Sequence, residues 1–342
     1  MFPSRITMPS PTDPQIEDTF SSALSALFTD DVQNSHGIPG SHVIYHSPRF
    51  GDLQLHIPQH PDAEEGRKLF AHYLWNAGVI CADALEEASQ DQDGGNERPH
   101  GLYSSPKLEP GQERPASASW DKRYWDVRGQ TVMELGAGTA LPSIVAALSG
   151  AASTTITDHP SSPALTTNAI EQNVRINILE RDMRGGTDNH ASCASSSFSS
   201  PSLSSSSPEI TISGYTWGTT TFYSPSSYGK PSPQQPRAFD RIIVADCLWM
   251  PSQHGNLVKT IVDYLDESRP GSCALVVAGF HTGREIVRQF FEDPEDVRSP
   301  LRIAEIFEID VNGVRRPWEP SRLGETKDGA KRWCVVAVLV RK

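Results

Sequence analysis

One stretch decides the fold: Val132-Met-Glu134-Leu-Gly136-Ala-Gly138-Thr-Ala140-Leu-Pro142, which is followed by Thr154-Thr-Ile-Thr-Asp158. The first run is short and apolar, which is typical of a buried parallel strand. Gly136 and Gly138 allow a sharp turn and let the backbone approach a ligand closely. Pro142 is tolerated only in the first turn of a helix. The sequence therefore predicts a strand, a glycine turn, a helix and a second strand that ends on Asp158, an arrangement that binds nucleotide-like cofactors.

The residues around the glycines distinguish two classes of cofactor. A dinucleotide-binding turn has the pattern G-x-G-x-x-G/A, and Leu141 stands where its third glycine would be. Glu134 precedes the turn, and its charge suits the ammonium and sulfonium groups of S-adenosylmethionine. Asp158 lies 20 positions beyond Gly138, where a carboxylate can hold a ribose diol. We therefore expect S-adenosylmethionine rather than NAD, and the alternative is a tight turn that binds no ligand.

Composition and charge exclude several other classes of protein. The chain has 342 residues and a formal net charge of −12, and it lacks the basic clusters that a nucleic-acid partner requires. Its five cysteines are scattered singly, which predicts neither a zinc site nor a disulfide framework and favours a reducing compartment. No apolar run approaches the ~18 residues of a membrane span. We expect a cytoplasmic, monomeric protein without a bound metal.

Composition also divides the chain into a tail, one domain and three polar inserts. Residues 1–40 are rich in Pro, Ser and Asp, so we expect a flexible tail, and residues 41–342 are expected to form a single domain. The stretch 192–207 contains 11 Ser and cannot bury a core. The predicted inserts span residues 91–119, 181–208 and 218–236.

The remaining segments alternate between strand and helix patterns. An N-terminal β-hairpin is predicted from residues 42–57, and a helix over residues 61–87. Strands are then predicted at 131–135, 153–157, 209–213, 239–245 and 272–278, and a closing antiparallel hairpin at 301–311 and 332–340. This order predicts an α/β fold, a doubly wound, Rossmann-like sheet of seven strands.

Four side chains follow the predicted strands, at the edge of the sheet where ligands bind in such folds. Trp217 could lie against an adenine ring or pack near a loop. Asp246 could hold a substrate amine, orient the methionine part of the cofactor or cap a helix. Trp249 could wall a substrate slot or fill a core. His281 could act as a base, although an isolated histidine is more often structural.

Two further candidates precede the sheet. Trp75 and Asn76 fall within the helix predicted over residues 61–87. Both could cover a cofactor from above. A tryptophan on the apolar face of a helix would serve equally well in a core, so the periodicity leaves both interpretations open.

Several of these motifs together resemble the seven-β-strand, S-adenosylmethionine-dependent protein methyltransferases. Within that family the chain is similar to the fungal nicotinamide N-methyltransferase-like group, which includes enzymes that methylate the N-terminus and adjacent lysine of translation elongation factor 1-alpha. The resemblance extends from about residue 43 to the C-terminus, without the inserts. It rests on Tyr73-Leu-Trp75-Asn76-Ala-Gly78, the loop from Glu134 to Pro142, Thr157-Asp158, Gly214-Tyr-Thr-Trp217-Gly218 and Asp246-Cys-Leu-Trp249.

The resemblance implies a role for each motif residue. It places Glu134, Gly136 and Gly138 around the methionine moiety, Asp158 at the ribose, Trp217 at the adenine and Trp75 near the cofactor. Asp246 and Trp249 are the predicted catalytic residues, although the family often has Tyr or Phe where this chain has Trp249.

The implied activity is N-methylation of a lysine or N-terminal amine in a protein, such as a translation factor. Two alternatives stay open: methylation of a small amine such as nicotinamide, or a catalytically silent protein that binds the cofactor.

Overall fold

A computed structural model describes most of the predicted domain. The described residues are 2–8, 34–59, 71–90, 119–181, 208–224, 238–295 and 300–342. Most of the predicted tail and of the three predicted inserts lies outside them. None of the helices in these ranges is both long and apolar enough to span a lipid bilayer.

The main element of the described chain is a mixed sheet of nine strands. Its strands are β6 (Thr131–Leu135), β7 (Ser153–Asp158), β8 (Glu209–Tyr215), β9 (Phe222–Tyr223), β10 (Arg241–Ala245), β11 (Cys273–Gly279), β12 (Leu301–Asp310), β13 (Arg315–Pro317) and β14 (Trp333–Arg341). Their order across the sheet is β13-β12-β14-β11-β10-β6-β7-β8-β9. The sequence predicted seven strands, and the two additional ones are the short edge strands β9 and β13, which are too brief to show a periodic pattern.

The direction of the strands explains where a ligand can bind. Strands β6, β7, β8, β10 and β11 run parallel, and β14 lies antiparallel between β11 and β12. The chain builds outward from β6 through β7 to β8, and then crosses to β10 on the other side of β6. This reversal leaves a crevice at the carboxyl ends of β6 and β10, where doubly wound sheets bind their ligands.

Helices cover both faces of this sheet. They are α1 (Asn76–Ala88), α2 (Lys122–Trp125), α3 (Leu141–Leu148), α4 (Pro163–Thr166), α5 (Ala169–Val174), α6 (His254–Tyr264), α7 (Arg284–Glu295) and α8 (Lys327–Lys331). One apolar cluster joins the sheet to α1, α3 and α5. A second cluster joins the opposite face to α6 and α7. The sheet is therefore buried on both sides, as expected for parallel strands.

A small antiparallel sheet lies beside this core. It contains β1 (Ile6–Thr7), β3 (His42–Ser47) and β4 (Gly51–His56), and β3 and β4 form a hairpin at the predicted position. Two buried asparagines fasten the hairpin to the core. Asn173 accepts from the N–H of His56 at 2.6 Å, and Asn177 accepts from the N–H of Gln54 at 2.9 Å.

The helix predicted over residues 61–87 is wrong at residues 71–75, which are not helical. Residues 60–70 lie outside the described chain, and Leu74–Trp75 form a strand, β5, which pairs with β2 (Ser35–His36). The helix α1 begins only at Asn76, whose N–H donates to the carbonyl of Asn34 at 3.0 Å. This partner is distant in sequence, so the local pattern could not reveal it.

The helical segment over residues 163–179 is not continuous. It divides into α4, α5 and a π-helical turn at Arg175–Leu179. Asn168 separates α4 from α5 with a φ of 57°, a left-handed conformation that asparagine tolerates better than most residues.

A buried ion-pair cluster fixes the connection between β12 and β14. Glu308 is fully buried and accepts from Arg284 at 2.6 Å and from Arg316 at 2.7 Å. Burial alone would raise the pKa of Glu308, but these hydrogen bonds outweigh it and the pKa is lowered. Glu325 in the connection also accepts from Arg284, at 2.8 Å. The connection is thereby held to the start of α7.

Candidate functional site

A cavity of about 220 Å³ opens at the carboxyl ends of the central strands. The eight residues to which the family resemblance assigned a role all line this one cavity. They are Trp75, Glu134, Gly136, Gly138, Asp158, Trp217, Asp246 and Trp249. Four of the segments meet here because the parallel strands β6, β7, β8 and β10 end at the same edge of the sheet, and Trp75 comes from β5, outside that sheet.

The glycine turn has a shape that side chains would obstruct. Gly136 and Gly138 have φ values of 67° and 53°, in the left-handed region that favours glycine. A Cβ on Gly136 would lie 2.8 Å from the Sγ of Cys247 and 3.3 Å from a ring carbon of Trp217. Because Gly136 has no side chain, the turn can pack against Cys247 and Trp217. The side of the turn that faces the cavity stays open.

We expect Gly136→Ala to lose cofactor affinity, because the new methyl group must displace Cys247 or Trp217. Left-handed backbone should cost about 1 kcal/mol in the free energy of unfolding, and the clash about 1–3 kcal/mol more. Gly129→Ala is the matched control: Gly129 has the same φ of 67°, and a Cβ added there would meet no atom within 4 Å. Denaturant unfolding and calorimetry with S-adenosylmethionine measure both effects, and equal losses in the two variants would contradict this explanation.

Glu134 places a buried carboxylate beside the turn. It is 1% exposed and accepts from the N–H of Ser143 at 3.1 Å, in the first turn of α3. Burial, assisted by the nearby charge of Asp158, raises the pKa of Glu134 to about 8. With this pKa the carboxyl group is mostly protonated at neutral pH, and a cationic ligand beside it would favour the charged form.

Asp158 braces the turn from the end of β7. Its Oδ2 accepts from the N–H of Gly138 at 2.8 Å, and its Oδ1 accepts from the N–H of His159 at 2.7 Å. Burial raises the pKa of Asp158, and these two N–H groups act against that rise. The carboxylate has further lone pairs, so it can accept from hydroxyl groups of a ligand as well.

Trp217 lies on a loop that the following helix holds in place. The N–H of Gly218 donates to Thr260 Oγ1 on α6 at 2.8 Å. Gly218 has a φ of 80°, and a Cβ there would lie 2.7 Å from Asn256 Oδ1. The loop therefore fits closely against α6, and it presents Trp217 to the cavity beside Gly136.

Asp246 follows β10 in a conformation that is uncommon for a residue with a side chain. Its φ is 60°, and such conformations concentrate at functional sites. Its Oδ1 accepts from the N–H of Gly279 at 3.1 Å and lies 3.7 Å from Nδ1 of His281. Burial raises the pKa of Asp246, whereas His281 and the Gly279 N–H act to lower it. The structure does not support a helix-capping role, because α6 begins eight residues later, at His254.

The structure separates the two residues that precede the sheet. Trp75 lines the cavity and stacks on His281, with ring centroids 4.5 Å apart and planes 18° apart. Asn76 does not line the cavity, contrary to one of the two interpretations of the sequence. Its Oδ1 instead lies 2.7 Å from Nε2 of buried His36. Trp75 therefore lies at the cavity, whereas Asn76 stabilises the fold through its contact with His36.

Some residues of the cavity carried no sequence signal. The thiol of Cys247 donates to the carbonyl of Leu135 at 3.0 Å and lies against Gly136. Its position directly after Asp246 was the available clue. Further lining residues that the sequence did not single out for the site are Ala71, Thr139, His159, Thr216, Met250 and Gln253.

Residues 59–185 match the model of a family described as lysine methyltransferase. This segment is similar to the lysine methyltransferase family. The match confirms the methyltransferase family predicted from the sequence, and S-adenosylmethionine as the cofactor of that family.

Two relatives illustrate the similarity. The chain is 33% identical over 209 residues to a protein from Emericella nidulans named protein N-terminal and lysine N-methyltransferase efm7, a match that covers 61% of this chain and 58% of the relative. It is 27% identical over 230 residues to a protein of the same name from Kluyveromyces lactis, covering 67% and 65%. The chain thus spans less than two thirds of the length of either relative.

Likeness to solved structures is weaker. The ribosomal protein L11 methylase of Lactobacillus delbrueckii subsp. bulgaricus is 17% identical, with a TM-score of 0.33 over 63% of this chain and 72% of that one. A score at this level carries no conclusion about function.

The described residues fit the cofactor that the family implies. Glu134 and Asp158 offer two buried carboxylates to a cationic, hydroxyl-bearing ligand. The absence of side chains at Gly136 and Gly138 leaves room for this ligand at the turn, and Trp217 offers it an aromatic face. No group of three metal-binding side chains occurs within the described ranges.

Proposed function

We propose that this protein is an S-adenosylmethionine-dependent N-methyltransferase that acts on a lysine or N-terminal amine of a protein. The observation that carries the proposal is the single cavity in which the glycine turn after β6 meets Asp246 and Trp249 after β10. One side of the cavity suits the cofactor and the other suits an amine. The names of the relatives, protein N-terminal and lysine N-methyltransferase, support the choice of acceptor.

The proposed cofactor site assigns each lining residue a part of S-adenosylmethionine. Glu134 stabilises its positive charges, while Gly136 and Gly138 give the methionine moiety room. The Asp158 carboxylate accepts from the ribose hydroxyls. The remaining two residues are aromatic, with Trp217 against the adenine and Trp75 beside the cofactor near the reacting centre.

The proposed chemistry requires little more than alignment and a neutral amine. When bound, the cofactor supplies an electrophilic methyl group on a sulfonium. An ammonium cannot attack it, so the amine must lose its proton, and the Asp246 carboxylate is placed to accept that proton and to orient the nitrogen. Trp249 and Trp75 exclude water from the reacting atoms, and their faces attract the methylated ammonium.

The acceptor protein, within this proposal, is a translation factor, as the sequence resemblance implies. The net charge of −12 would attract a lysine-rich segment and repel nucleic acid. We further propose that residues 41–342 act as a single domain, as a monomer and in the cytoplasm.

Incubation of the purified protein with a cell lysate and tritiated S-adenosylmethionine tests the function. We expect label in a protein band, and no label with an Asp246→Asn control. Label in small molecules alone would favour a nicotinamide-like acceptor instead. Calorimetric binding of the cofactor without any label would favour a silent binding protein.

A further inference from the structure

His281 does not line the cavity itself, but it contacts one lining residue of the proposed cofactor site and one of the proposed acceptor site. It follows β11 by two residues, and its ring stacks on Trp75 at 4.5 Å. On the same ring, Nδ1 lies 3.7 Å from Oδ1 of Asp246. Both side chains are shielded from solvent, His281 at 12% exposure and Asp246 at 7%. One imidazole therefore contacts both the wall of the proposed cofactor site and the carboxylate of the proposed acceptor site.

The absence of a side chain at Gly279 lets His281 and Asp246 come this close to each other. A Cβ on Gly279 would lie 3.2 Å from Nδ1 of His281 and 3.8 Å from Oδ1 of Asp246. The N–H of Gly279 also donates to that same Oδ1 at 3.1 Å. The end of β11 thus presents a backbone N–H and an imidazole to one carboxylate oxygen, and a side chain at position 279 would crowd both.

Of the other titratable groups around this pair, the thiols are neutral, the guanidinium of Arg284 is already paired, and the remaining carboxyl groups are acidic. The thiols of Cys247 and Cys334 face Asp246, and burial raises the pKa of each well above its usual value, so both stay protonated. Arg284 stacks on Phe280 at 4.1 Å, but its guanidinium is bonded to Glu308 and Glu325. Tyr73 meets the edge of the Trp75 ring at 5.9 Å. Glu134 and Asp158 lie around the same cavity, and both are acidic.

We propose that His281 is a positioning residue that orients the Asp246 carboxylate toward the acceptor amine and keeps it ionised, while its ring fixes Trp75. This inference rests on the proposed methyl transfer to an amine. Within the described chain, His281 is the basic side chain that lies within ion-pair distance of Asp246. A separation of 3.7 Å exceeds that of a hydrogen bond, and contacts of this kind shorten when a ligand closes the site.

The proposal predicts a pH effect whose direction can be worked out. Burial disfavours the charged form of Asp246, and His281 counters that effect. Without the imidazole, the pKa of Asp246 rises, and a higher pH is needed to ionise it. The acidic limb of kcat/KM should therefore move to higher pH, with recovery toward wild-type values in alkaline solution. A residue that only fills space would lower kcat/KM equally at every pH.

His281→Phe is the informative variant, because phenylalanine keeps a ring to stack on Trp75 but has no nitrogen for Asp246. On the acidic limb itself, kcat/KM should fall about tenfold for each unit by which the limb moves, and the loss should vanish at higher pH. Affinity for S-adenosylhomocysteine should stay within about twofold. His281→Gln, which restores an N–H donor, should recover part of the loss. His46→Phe is the control, because His46 pairs with Asp52 at 2.7 Å on the N-terminal hairpin, outside the cavity.

A binding measurement keeps the test independent of turnover. Sinefungin carries an amine in place of the methylsulfonium, so its affinity relative to S-adenosylhomocysteine reports the charge of Asp246. We expect this ratio to fall in His281→Phe near pH 7 and to recover as pH rises. An unchanged ratio and an unshifted acidic limb would overturn the inference. A wild-type protein that binds both ligands but transfers no methyl group would overturn the proposed function, while the sinefungin ratio would still decide the role of His281.

Discussion

Asp246→Asn should reduce kcat by at least about a hundredfold while it leaves the affinity for S-adenosylmethionine within about twofold. Asparagine tolerates the left-handed backbone at this position, where φ is 60°. Its amide oxygen can still accept from the N–H of Gly279. The substitution therefore removes the negative charge and the proton acceptor with little change in shape, and single-turnover kinetics with calorimetry measure the two effects separately.

A control for this variant is Asp263→Asn, since Asp263 is paired with Lys259 on α6 and does not line the cavity. It should leave both kcat and cofactor affinity unchanged. A parallel loss of cofactor affinity and turnover in Asp246→Asn would place Asp246 in the cofactor site instead of the acceptor site. Full retention of kcat would exclude Asp246 as the group that receives the amine proton.

Asp158→Ala should weaken S-adenosylmethionine binding by about 10- to 100-fold, because hydrogen bonds to a charged group contribute about 1.5–3 kcal/mol. The variant removes the proposed partner of the ribose hydroxyls. It also leaves the N–H groups of Gly138 and His159 without their acceptor. Calorimetry gives the affinity, and thermal unfolding reports the change in stability.

Asp310→Ala is the control that separates the loss of cofactor affinity from the loss of stability. Asp310 ends β12, is 6% exposed like Asp158, and accepts from the N–H groups of Asn312 and Val314, both at 2.9 Å. It does not line the cavity. A similar loss of stability in both variants, with weaker cofactor binding only in Asp158→Ala, is the expected result. Unchanged affinity in Asp158→Ala would refute the ribose assignment.

Much of the cavity could be predicted because the residues that identify it stand in short sequence motifs. Gly136 and Gly138 mark a turn, Asp158 ends the next strand, and Asp246 ends another. Because the carboxyl ends of parallel strands lie at one edge of the sheet, the fold then brings these residues together. The same rule could not give the contact of His281 with Trp75, since that contact depends on how the residues after β11 pack against β5.

The misplaced start of the first helix and the two unpredicted edge strands share one cause, which is a partner distant in sequence. Periodicity extended the first helix through Trp75, whereas pairing with Ser35–His36 makes this residue part of a strand. The edge strands β9 and β13 exist because longer neighbours offer them hydrogen bonds. Short elements of this kind have little intrinsic preference of their own, so tertiary pairing decides their conformation.

The parallel strands carry the site at one edge of the sheet, which has a consequence for how such a protein can vary. The lining residues Asp158 and Asp246 stand at the carboxyl ends of β7 and β10. Gln130 lies directly ahead of β6 and Pro208 directly ahead of β8, at the amino ends of these strands. Those ends lie at the opposite edge of the sheet, so changes of sequence just before them leave the residues of the cavity in place.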